Sequence, residues 1–484
     1  MTRVVEIRSG SYRDSVGLMQ VSSRLRELAG VDAALVAMAT PLNLDVLAGM
    51  GFPAPDGAAP QDMVVAIDAV DEEALVRARA ALEAELSAVP RAPGGDVDVP
   101  PPTIATALRR RPARLVLVST PGAVAAIDAM DALDAGVDVM VFSDNVAVED
   151  EVALKEIARS RGLLVLGPDC GTAVVDGVGL GFANVVRPGP VGIVAASGTG
   201  AQHLLALLDS AGIGVTHCLG VGGRDLSAAV AARSTLTALE RLDADDTVEL
   251  VVLVSKPPDD DVARSVAGYV ATMSTPVVLG YLGAGRPDLT ATAREVVRRL
   301  GADWPTPRRW GFAKPPPRPG HLRGLFTGGT LCDEAMLIAA DVLGPVASNI
   351  PLPGAARLGP DLGADGHAFI DFGDDRLTVG RPHPMIDPSL RQQRLRAELA
   401  DPACAVVLLD VVLGHGAHPD PATDLAAAVD GATTTVVVTL VGTRDDQQGL
   451  EAQAERLVDA GALVHASNAA ATREALSMLE GRPS

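Results

Sequence analysis

Two short loops in this chain carry the small and hydroxylated residues that suit an anion site. Each loop follows an apolar run typical of a buried strand and precedes a helical apolar pattern, so first-turn N–H groups and the helix dipole favour a bound anion. A threonine hydroxyl adds a further hydrogen-bonding group in each. Ordinary packing explains either loop alone equally well, because tight strand-to-helix turns need glycine. The pair predicts a joint phosphoryl or carboxylate site built from Ser197, Gly198, Thr199, Gly328, Gly329 and Thr330.

Four further residues are candidates for catalysis. Lys256 ends a buried apolar run, and we place it near the anion. Arg224 and Asp225 follow another strand, where an Arg clamps a carboxylate or phosphate and an Asp orients it; a simple turn salt bridge is the alternative. His415, with His418 nearby, is a candidate general base or phosphoryl acceptor, and the alternative is a surface loop.

A proline-rich stretch, residues 380–388, contains Arg381, His383 and Asp387. Its prolines favour an extended, stiff loop. Such a loop suits a substrate wall or a subunit contact, and the sequence does not separate the two.

Composition limits the function classes. The chain of 484 residues is 48% hydrophobic but only 2% aromatic, which suits Ala, Val and Leu cores in parallel sheets covered by helices. A net charge of -21 argues against nucleic acid and anionic membranes as partners. Four widely spaced cysteines without a CxxC pair argue against structural zinc and disulfides, so we predict no metal. With no signal-peptide core or membrane-spanning run, we expect a soluble cytoplasmic protein.

The apolar periodicity predicts an α/β protein in four parts. Residues 1–90 form a small α+β module, and residues 91–104 form a linker rich in Pro and Gly. Residues 105–189 alternate strand and helix, which predicts a parallel doubly wound sheet. Residues 190–303 and 321–484 are two similar parallel-sheet domains, joined by a Pro-rich linker at 304–320.

The last two parts share four landmarks in the same order. The Gly-Thr loop recurs, and three later strands of residues 190–303 have counterparts in residues 321–484. This order predicts an internal duplication. Two similar domains packed about a pseudo-twofold axis would bring the two helix N-termini to one ligand.

From residue 114 onward the sequence resembles the succinyl-CoA synthetase superfamily, most closely its FdrA branch. The resemblance implies a truncated Rossmann-like domain of the CoA-binding type followed by two flavodoxin-like ligase domains, with the two helix N-termini holding a phosphoryl group. It also implies remnants of a CoA groove at Ser119, Pro121, Gly122 and Asn145. The matching stretches are residues 167–172, 191–199, 220–225, 327–331 and 380–388.

Two departures from the superfamily shape the expected chemistry. The phosphorylated histidine belongs in the stretch that here reads Leu282-Gly283-Ala284-Gly285-Arg286, and it is absent. No ATP-grasp domain is visible either, so ligation driven by a nucleotide would need another subunit. The sequence leaves CoA and nucleotide binding open, and we expect no tightly bound cofactor.

Three functions are therefore considered, of which the resemblance implies the first two and the retained loops without the histidine suggest the third. The first is carbamoyl transfer of the oxamate carbamoyltransferase type, with phosphate or carbamoyl phosphate as ligand and with partner subunits and a carbamate kinase encoded nearby. The second is acyl-CoA synthesis with a partner subunit, and the third is a non-catalytic anion-binding scaffold. In each case we expect a small anionic substrate or ligand and an oligomer.

Overall fold

The computed structural model describes residues 2–9, 15–53, 55, 57–59, 61–87, 101–311, 316–378 and 381–480. These residues form two compact units. The first contains the described parts of 1–112 together with 119–124 and 381–382. The second contains 113–118, 125–378 and 383–480.

The first unit is built on a three-stranded antiparallel sheet in the order β1-β3-β2. Its strands are β1 (Thr2–Arg8), β2 (Val31–Met38) and β3 (Met63–Ala69), and its helices are α1 (Ser15–Arg26), α2 (Pro41–Gly49), α3 (Glu72–Ser87) and α4 (Ile104–Arg110). Leu25, Ile67 and Leu82 are among its fully buried residues. The predicted α+β module is present, whereas residues 88–90 of it and 91–100 of the predicted linker lie outside the described residues.

A small parallel sheet follows in the chain, in the order β4-β5-β6. Its strands are β4 (Leu115–Val118), β5 (Asp138–Val141) and β6 (Val165–Leu166), with α5 (Gly122–Asp134) and α6 (Val148–Ser160) between them. The alternating apolar pattern predicted this parallel βαβαβ arrangement, and the structure confirms it.

A six-stranded sheet comes next, in the order β12-β11-β9-β10-β7-β8. It contains β7 (Thr172–Val175), β8 (Val178–Gly181), β9 (Val191–Ala196), β10 (Val215–Gly220), β11 (Leu250–Ser255) and β12 (Val277–Tyr281), with helices α7 (Gly198–Ser210), α8 (Arg233–Asp243), α9 (Asp260–Val270) and α10 (Leu289–Arg299). Strands β9 to β12 are parallel, while β7 and β8 form an antiparallel hairpin against β10.

The last sheet has seven strands in the order β13-β19-β18-β17-β14-β16-β15. It contains β13 (Arg309–Trp310), β14 (His321–Phe326), β15 (Ala347–Ser348), β16 (Ala368–Asp371), β17 (Cys404–Val412), β18 (Thr435–Val441) and β19 (Leu463–His465), with helices α11 (Gly329–Leu343), α12 (Asp375–Thr378), α13 (Ser389–Ala400), α14 (Pro421–Val429), α15 (Leu450–Asp459) and α16 (Asn468–Ser477). All its strand pairs are parallel except β13 with β19.

The two large sheets repeat one strand order. The order β12-β11-β9-β10 in the first matches β18-β17-β14-β16 in the second, strand by strand along the chain. In both, the central strand leads through a Gly-Thr loop into the helices α7 and α11. The predicted internal duplication therefore has the same topology in each copy.

Two predicted domain boundaries are wrong in detail. The prediction ended the second part of the chain at residue 189, but the hairpin β7–β8 pairs with β10 and belongs to the six-stranded sheet. The predicted linker at 304–320 contributes β13, which pairs with β19, although residues 312–315 lie outside the described residues. Strand pairing depends on distant partners, so the local Pro-rich composition did not reveal it.

The strands that carry the loops are buried along their whole length. Every residue of β9, β11, β17 and β18 is buried, and these strands consist mainly of Val, Leu, Ala and Ile. Such runs are typical of parallel sheets covered on both faces. The carboxyl ends of parallel strands lie at one edge of a sheet, which is where the candidate residues stand.

Candidate functional site

The two Gly-Thr loops are in direct contact. Ser197 Oγ donates a hydrogen bond to Thr330 Oγ1 at 2.6 Å and accepts one from the Gly200 N–H at 3.0 Å. Ser197, Thr199 and Thr330 are all buried. Ser197 and Thr330 are 133 residues apart in the chain, so the N-termini of α7 and α11 meet at one place.

The contact between the loops leaves no room for a side chain at Gly200 or Gly328. A Cβ on Gly328 would lie 2.2 Å from Thr199 Cγ2, and a Cβ on Gly200 would lie 2.9 Å from Thr330 Cγ2. Gly198 differs, because it is exposed and its Cβ would meet nothing within 4 Å. Packing of loop against loop explains Gly200 and Gly328, whereas Gly198 lies on the open side.

The first turns of the two helices leave backbone donors available. In α7 the Ser197 side chain caps only the Gly200 N–H. Among the described residues, no side chain caps α11, which begins at Gly329. First-turn N–H groups have no partner inside their own helix, so an anion at this end would satisfy them and the helix dipole.

Lys256 follows β11 and reaches the start of α11. Its Nζ would lie 2.4 Å from a Cβ on Gly329 and is 3.9 Å from Asp333 Oδ2. Burial opposes the charged ammonium, but the carboxyl groups of Asp333, Asp371 and Asp169 outweigh it and raise the pKa of Lys256. The side chain is 38% exposed and stays charged at neutral pH, so the loops have a cation beside them.

Two carboxyl groups beside Lys256 were missed at the level of sequence. Asp371 ends β16, and its Oδ2 would lie 2.9 Å from a Cβ on Gly329. Asp333 lies one turn into α11. Burial raises the pKa of Asp371 to about 7 and that of Asp333 to about 6, while Lys256 works in the opposite direction on both. An Asp at the carboxyl end of a parallel strand was the available signal for Asp371.

A buried ion pair between Asp410 and Arg391 holds the start of the second loop. Asp410 in β17 accepts the Thr327 N–H at 2.8 Å and the Thr327 hydroxyl at 2.9 Å. The Arg391 guanidinium donates to the same carboxylate at 2.9 Å. Because Asp410 is fully buried, this network fixes the entry into the Gly-Gly-Thr turn.

Asp225 does not have the ligand-orienting position that the sequence suggested. Its carboxylate is completely buried, accepts the N–H groups of Ser234 and Thr235 at the start of α8, and pairs with Lys155 Nζ at 2.7 Å. The side chain therefore points into the core. Arg224, 39% exposed, donates to Glu151 Oε2 at 3.0 Å.

The two histidines proposed as candidates, His415 and His418, lie apart from the Gly-Thr loops or on the surface. His415 is exposed, as the surface-loop alternative expected; its backbone N–H donates to the Ala183 carbonyl, and its ring lies near the Gly179 position. His418 instead lines a cavity together with Leu425, Arg391 and Thr327. By contrast, His383 Nε2 would lie 3.0 Å from a Cβ on Gly373, the glycine whose N–H donates to Asp371 Oδ1. The histidine beside the second loop is thus His383, from the proline-rich stretch.

His383 is held as a neutral ring. Burial and the nearby Arg391 guanidinium lower the pKa of His383 to about 4. Its Nδ1 accepts the Met385 N–H at 3.2 Å, which places the remaining ring proton on Nε2. Nε2 is therefore a hydrogen-bond donor on the Asp371 side of the loop.

The predicted remnants of a CoA groove follow two strands of the small parallel sheet. Ser119 and Pro121 lie in the turn after β4, Gly122 begins α5, and Asn145 follows β5 with a positive φ of 54°. Nothing in these positions resembles the glycine-rich turn that opens a dinucleotide-binding unit.

Comparisons with known proteins match both ends of the chain. Residues 1–99 match the family described as the AllF heavy metal-associated domain, and residues 325–478 match the CoA-ligase family. The chain is 38% identical over 503 residues to the uncharacterized protein YahF of Escherichia coli strain K12, covering 97% of each protein. This chain belongs to the FdrA-like YahF family. Its ligase part places that family in the succinyl-CoA synthetase superfamily.

More distant relatives are ligase subunits. The alpha subunit of the ADP-forming succinate–CoA ligase of Methanothermobacter thermautotrophicus is 28% identical over 216 residues, which is 44% of this chain and 63% of that subunit. The dinucleotide-forming acetyl-coenzyme A synthetase 1 of Ca. Korarchaeum cryptofilum, solved with phosphate and ADP, is 17% identical with a TM-score of 0.31, over 79% of this chain and 88% of that one.

The part of the chain that matches the AllF heavy metal-associated domain offers no thiolate or imidazole ligand. Residues 1–99 contain neither Cys nor His. In the part of the chain that the structure describes, no three His, Cys, Asp or Glu side chains are grouped to hold a metal ion. Nor is any described helix long and apolar enough to cross a bilayer.

Proposed function

We propose that this protein transfers a carbamoyl group to and from phosphate at the site formed by the two loops. The substrates are oxalurate and phosphate, and the products are oxamate and carbamoyl phosphate. The observation that carries this proposal is the meeting of two helix N-termini, joined by Ser197 and Thr330, with the Lys256 ammonium beside Gly329.

These groups suit the charge that develops in such a reaction. Open first-turn N–H groups of α11 and the Lys256 ammonium bind phosphate oxygens, and an N–H of the same turn stabilises the oxyanion on the attacked carbonyl. Preorganised donors of this kind need no rearrangement when the charge appears. The two helix ends thus supply binding and electrostatic stabilisation together.

The absence of a histidine from residues 282–286 favours carbamoyl transfer. Direct attack by phosphate needs an anion site and a proton carrier, but it needs no phosphorylated histidine and no CoA. His415, the residue considered as a substitute, is exposed and contacts the Gly179 and Ala183 region. The loops then hold phosphate itself as the nucleophile.

Acyl-CoA synthesis with a partner subunit is the second candidate. The match of residues 325–478 to the CoA-ligase family and the likeness to succinate–CoA ligase alpha subunits favour it. This route needs a phosphoryl acceptor, and His383 is the histidine beside the second loop. Its Nδ1 accepts an N–H, however, so the ring proton occupies the Nε2 position that would be the nucleophile.

Two parallel assays distinguish these candidates. The purified chain, alone and with the products of its neighbouring genes, is incubated with oxalurate and phosphate, and carbamoyl phosphate is measured through a carbamate kinase. The same samples are tested for thioester formation from succinate, CoA and ATP. Carbamoyl phosphate without thioester is the expected result, and thioester alone would favour the ligase.

Loop variants connect the activity to the site. Gly198→Val places a side chain on the open side of the first loop, and Gly329→Val places one against Lys256 Nζ and Asp371 Oδ2, so the two together are expected to abolish carbamoyl phosphate formation. Gly268→Ala is the matched control, because Gly268 is an exposed residue of α9 with nothing within 4 Å of its Cβ position. Full activity in the double variant would exclude the paired-loop site, and inactivity of the unaltered protein in both assays would favour a non-catalytic scaffold.

A further inference from the structure

The Asp371 carboxyl group lies between the anion site at Gly329 and the backbone N–H of Gly373. Its Oδ2 faces Gly329 at the start of α11, and its Oδ1 accepts the Gly373 N–H at 2.9 Å. Asn349, itself buried, holds the backbone of Asp371 from both sides: Asn349 Oδ1 accepts its N–H at 2.9 Å, and Asn349 Nδ2 donates to its carbonyl at 2.8 Å. Three hydrogen bonds therefore hold Asp371 in this position.

The reaction proposed above requires one proton to move. An oxygen of hydrogen phosphate attacks the carbamoyl carbon of oxalurate, and a C–O bond forms while the C–N bond to the oxamate nitrogen breaks. The electron pair of that bond goes to nitrogen, which must gain a proton. The phosphate hydroxyl must lose one, so a single group that accepts and then donates balances the reaction.

We propose that Asp371 is the catalytic residue that carries this proton. Its carboxylate takes the proton from the phosphate hydroxyl as the C–O bond forms, and the resulting carboxylic acid gives it to the oxamate nitrogen as the C–N bond breaks. The carboxylate is regenerated, and no other reactant is consumed. This role rests on the proposed function and adds the group that moves its proton.

The charged and titratable groups around Asp371 support the role. Lys256 from the end of β11 favours the carboxylate, while Asp333 from α11 and Asp374 from the following turn favour the acid. His383 Nε2, a neutral donor, approaches from the Gly373 side. Burial sets the balance near neutrality, since it raises the pKa of Asp371 to about 7, which suits a group that both accepts and donates.

Asp371 is favoured over Asp333 by position. Asp333 lies a turn further along α11 and is 3.9 Å from the ammonium of Lys256. Asp371 Oδ2 instead would lie 2.9 Å from a Cβ on Gly329, at the first residue of the helix. Of these two carboxyl groups, Asp371 therefore lies closer to the helix N-terminus at which the proposed phosphate binds.

The test compares Asp371→Asn, Asp371→Ala and the exposed control Asp365→Asn with the unaltered protein. Carbamoyl phosphate formation and its pH dependence are measured, together with phosphate binding by calorimetry. For Asp371→Asn we expect kcat to fall by roughly 10²- to 10⁴-fold, the typical contribution of general acid–base catalysis, with phosphate affinity retained. For Asp371→Ala we expect added formate to restore part of the activity, while Asp365→Asn behaves as the unaltered protein.

The outcomes separate the two proposals. Turnover by Asp371→Asn at the unaltered rate, or inactivity of Asp371→Ala that formate does not relieve while phosphate still binds, would overturn the role of Asp371 and leave the proposed function standing. If the unaltered protein forms no carbamoyl phosphate, the proposed function fails and the proton carrier fails with it. Formate rescue also answers the objection that Asp371 is merely structural.

Discussion

Gly328→Ala tests the contact between the two loops most directly. The added Cβ would lie 2.2 Å from Thr199 Cγ2, 2.5 Å from its Oγ1 and 2.9 Å from its Cβ. Thr199 is β-branched and buried in the first turn of α7, so its side chain has little freedom to move away. The loops must therefore separate, and the hydrogen bond from Ser197 to Thr330 is lost with them.

The expected loss of stability follows from these two effects. Overpacking of a buried contact costs about 1–3 kcal/mol, and a buried hydrogen bond contributes about 1 kcal/mol. We therefore expect Gly328→Ala to lower the free energy of unfolding by about 2–4 kcal/mol and to abolish stabilisation by phosphate. Urea unfolding followed by circular dichroism, with and without phosphate, measures both quantities.

A double-mutant cycle provides the decisive control. Thr199→Ala removes Cγ2 and Oγ1, so Thr199→Ala combined with Gly328→Ala should recover part of the loss, with a coupling energy of about 0.5–3 kcal/mol between contacting residues. Gly268→Ala, on an exposed helix surface, should be neutral or stabilising by less than about 1 kcal/mol. Additive effects of the Thr199 and Gly328 substitutions would refute the direct contact.

Three further results are expected. Lys256→Met should weaken phosphate binding about 10- to 100-fold in calorimetry, because one charge-assisted hydrogen bond is lost, and unchanged affinity would place phosphate elsewhere. Burial raises the folded-state pKa of Asp371 to about 7 and of Asp333 to about 6, so the folded protein retains protons that the unfolded chain releases, and these two groups lower stability as the pH rises from about 4 to about 7. In urea unfolding, Asp371→Asn should therefore lose less stability over that pH range than the unaltered protein, and an identical pH dependence would contradict the raised pKa of Asp371. Asp225→Ala should lower the free energy of unfolding by about 3–5 kcal/mol, because the buried Lys155 then has one carboxylate partner fewer, but the folded variant should bind phosphate normally. Unchanged stability with weakened phosphate binding would instead place Asp225 in the site.

The fold was largely readable from local patterns. Nearly continuous apolar runs identified β9, β11, β17 and β18, because strands buried on both faces consist mainly of apolar side chains. The order of landmarks identified the duplication, which the matching strand orders of the two large sheets display. The hairpin β7–β8 and the edge strand β13 were not assigned to their sheets, since pairing with distant strands determines that membership.

The candidate site was readable only in part. Glycine, threonine and a lysine at strand ends identified both loops and Lys256, because these residue types are needed at such turns whatever lies opposite. Asp371 and His383 entered the site through the packing of elements far apart in the chain. His383 was noted only for the stiffness of its proline-rich stretch.

The sequence by itself determined which strands and turns form, and hence that two helices begin at Gly-Thr loops. Only the tertiary structure decided which side chains face those loops. Asp225 and Asp371 both follow or end a strand, yet the first points into the core to pair with Lys155 and the second faces Gly329. The physical reason is that burial and ion pairing depend on partners brought together by folding, whereas backbone propensity and apolar periodicity act within a few residues.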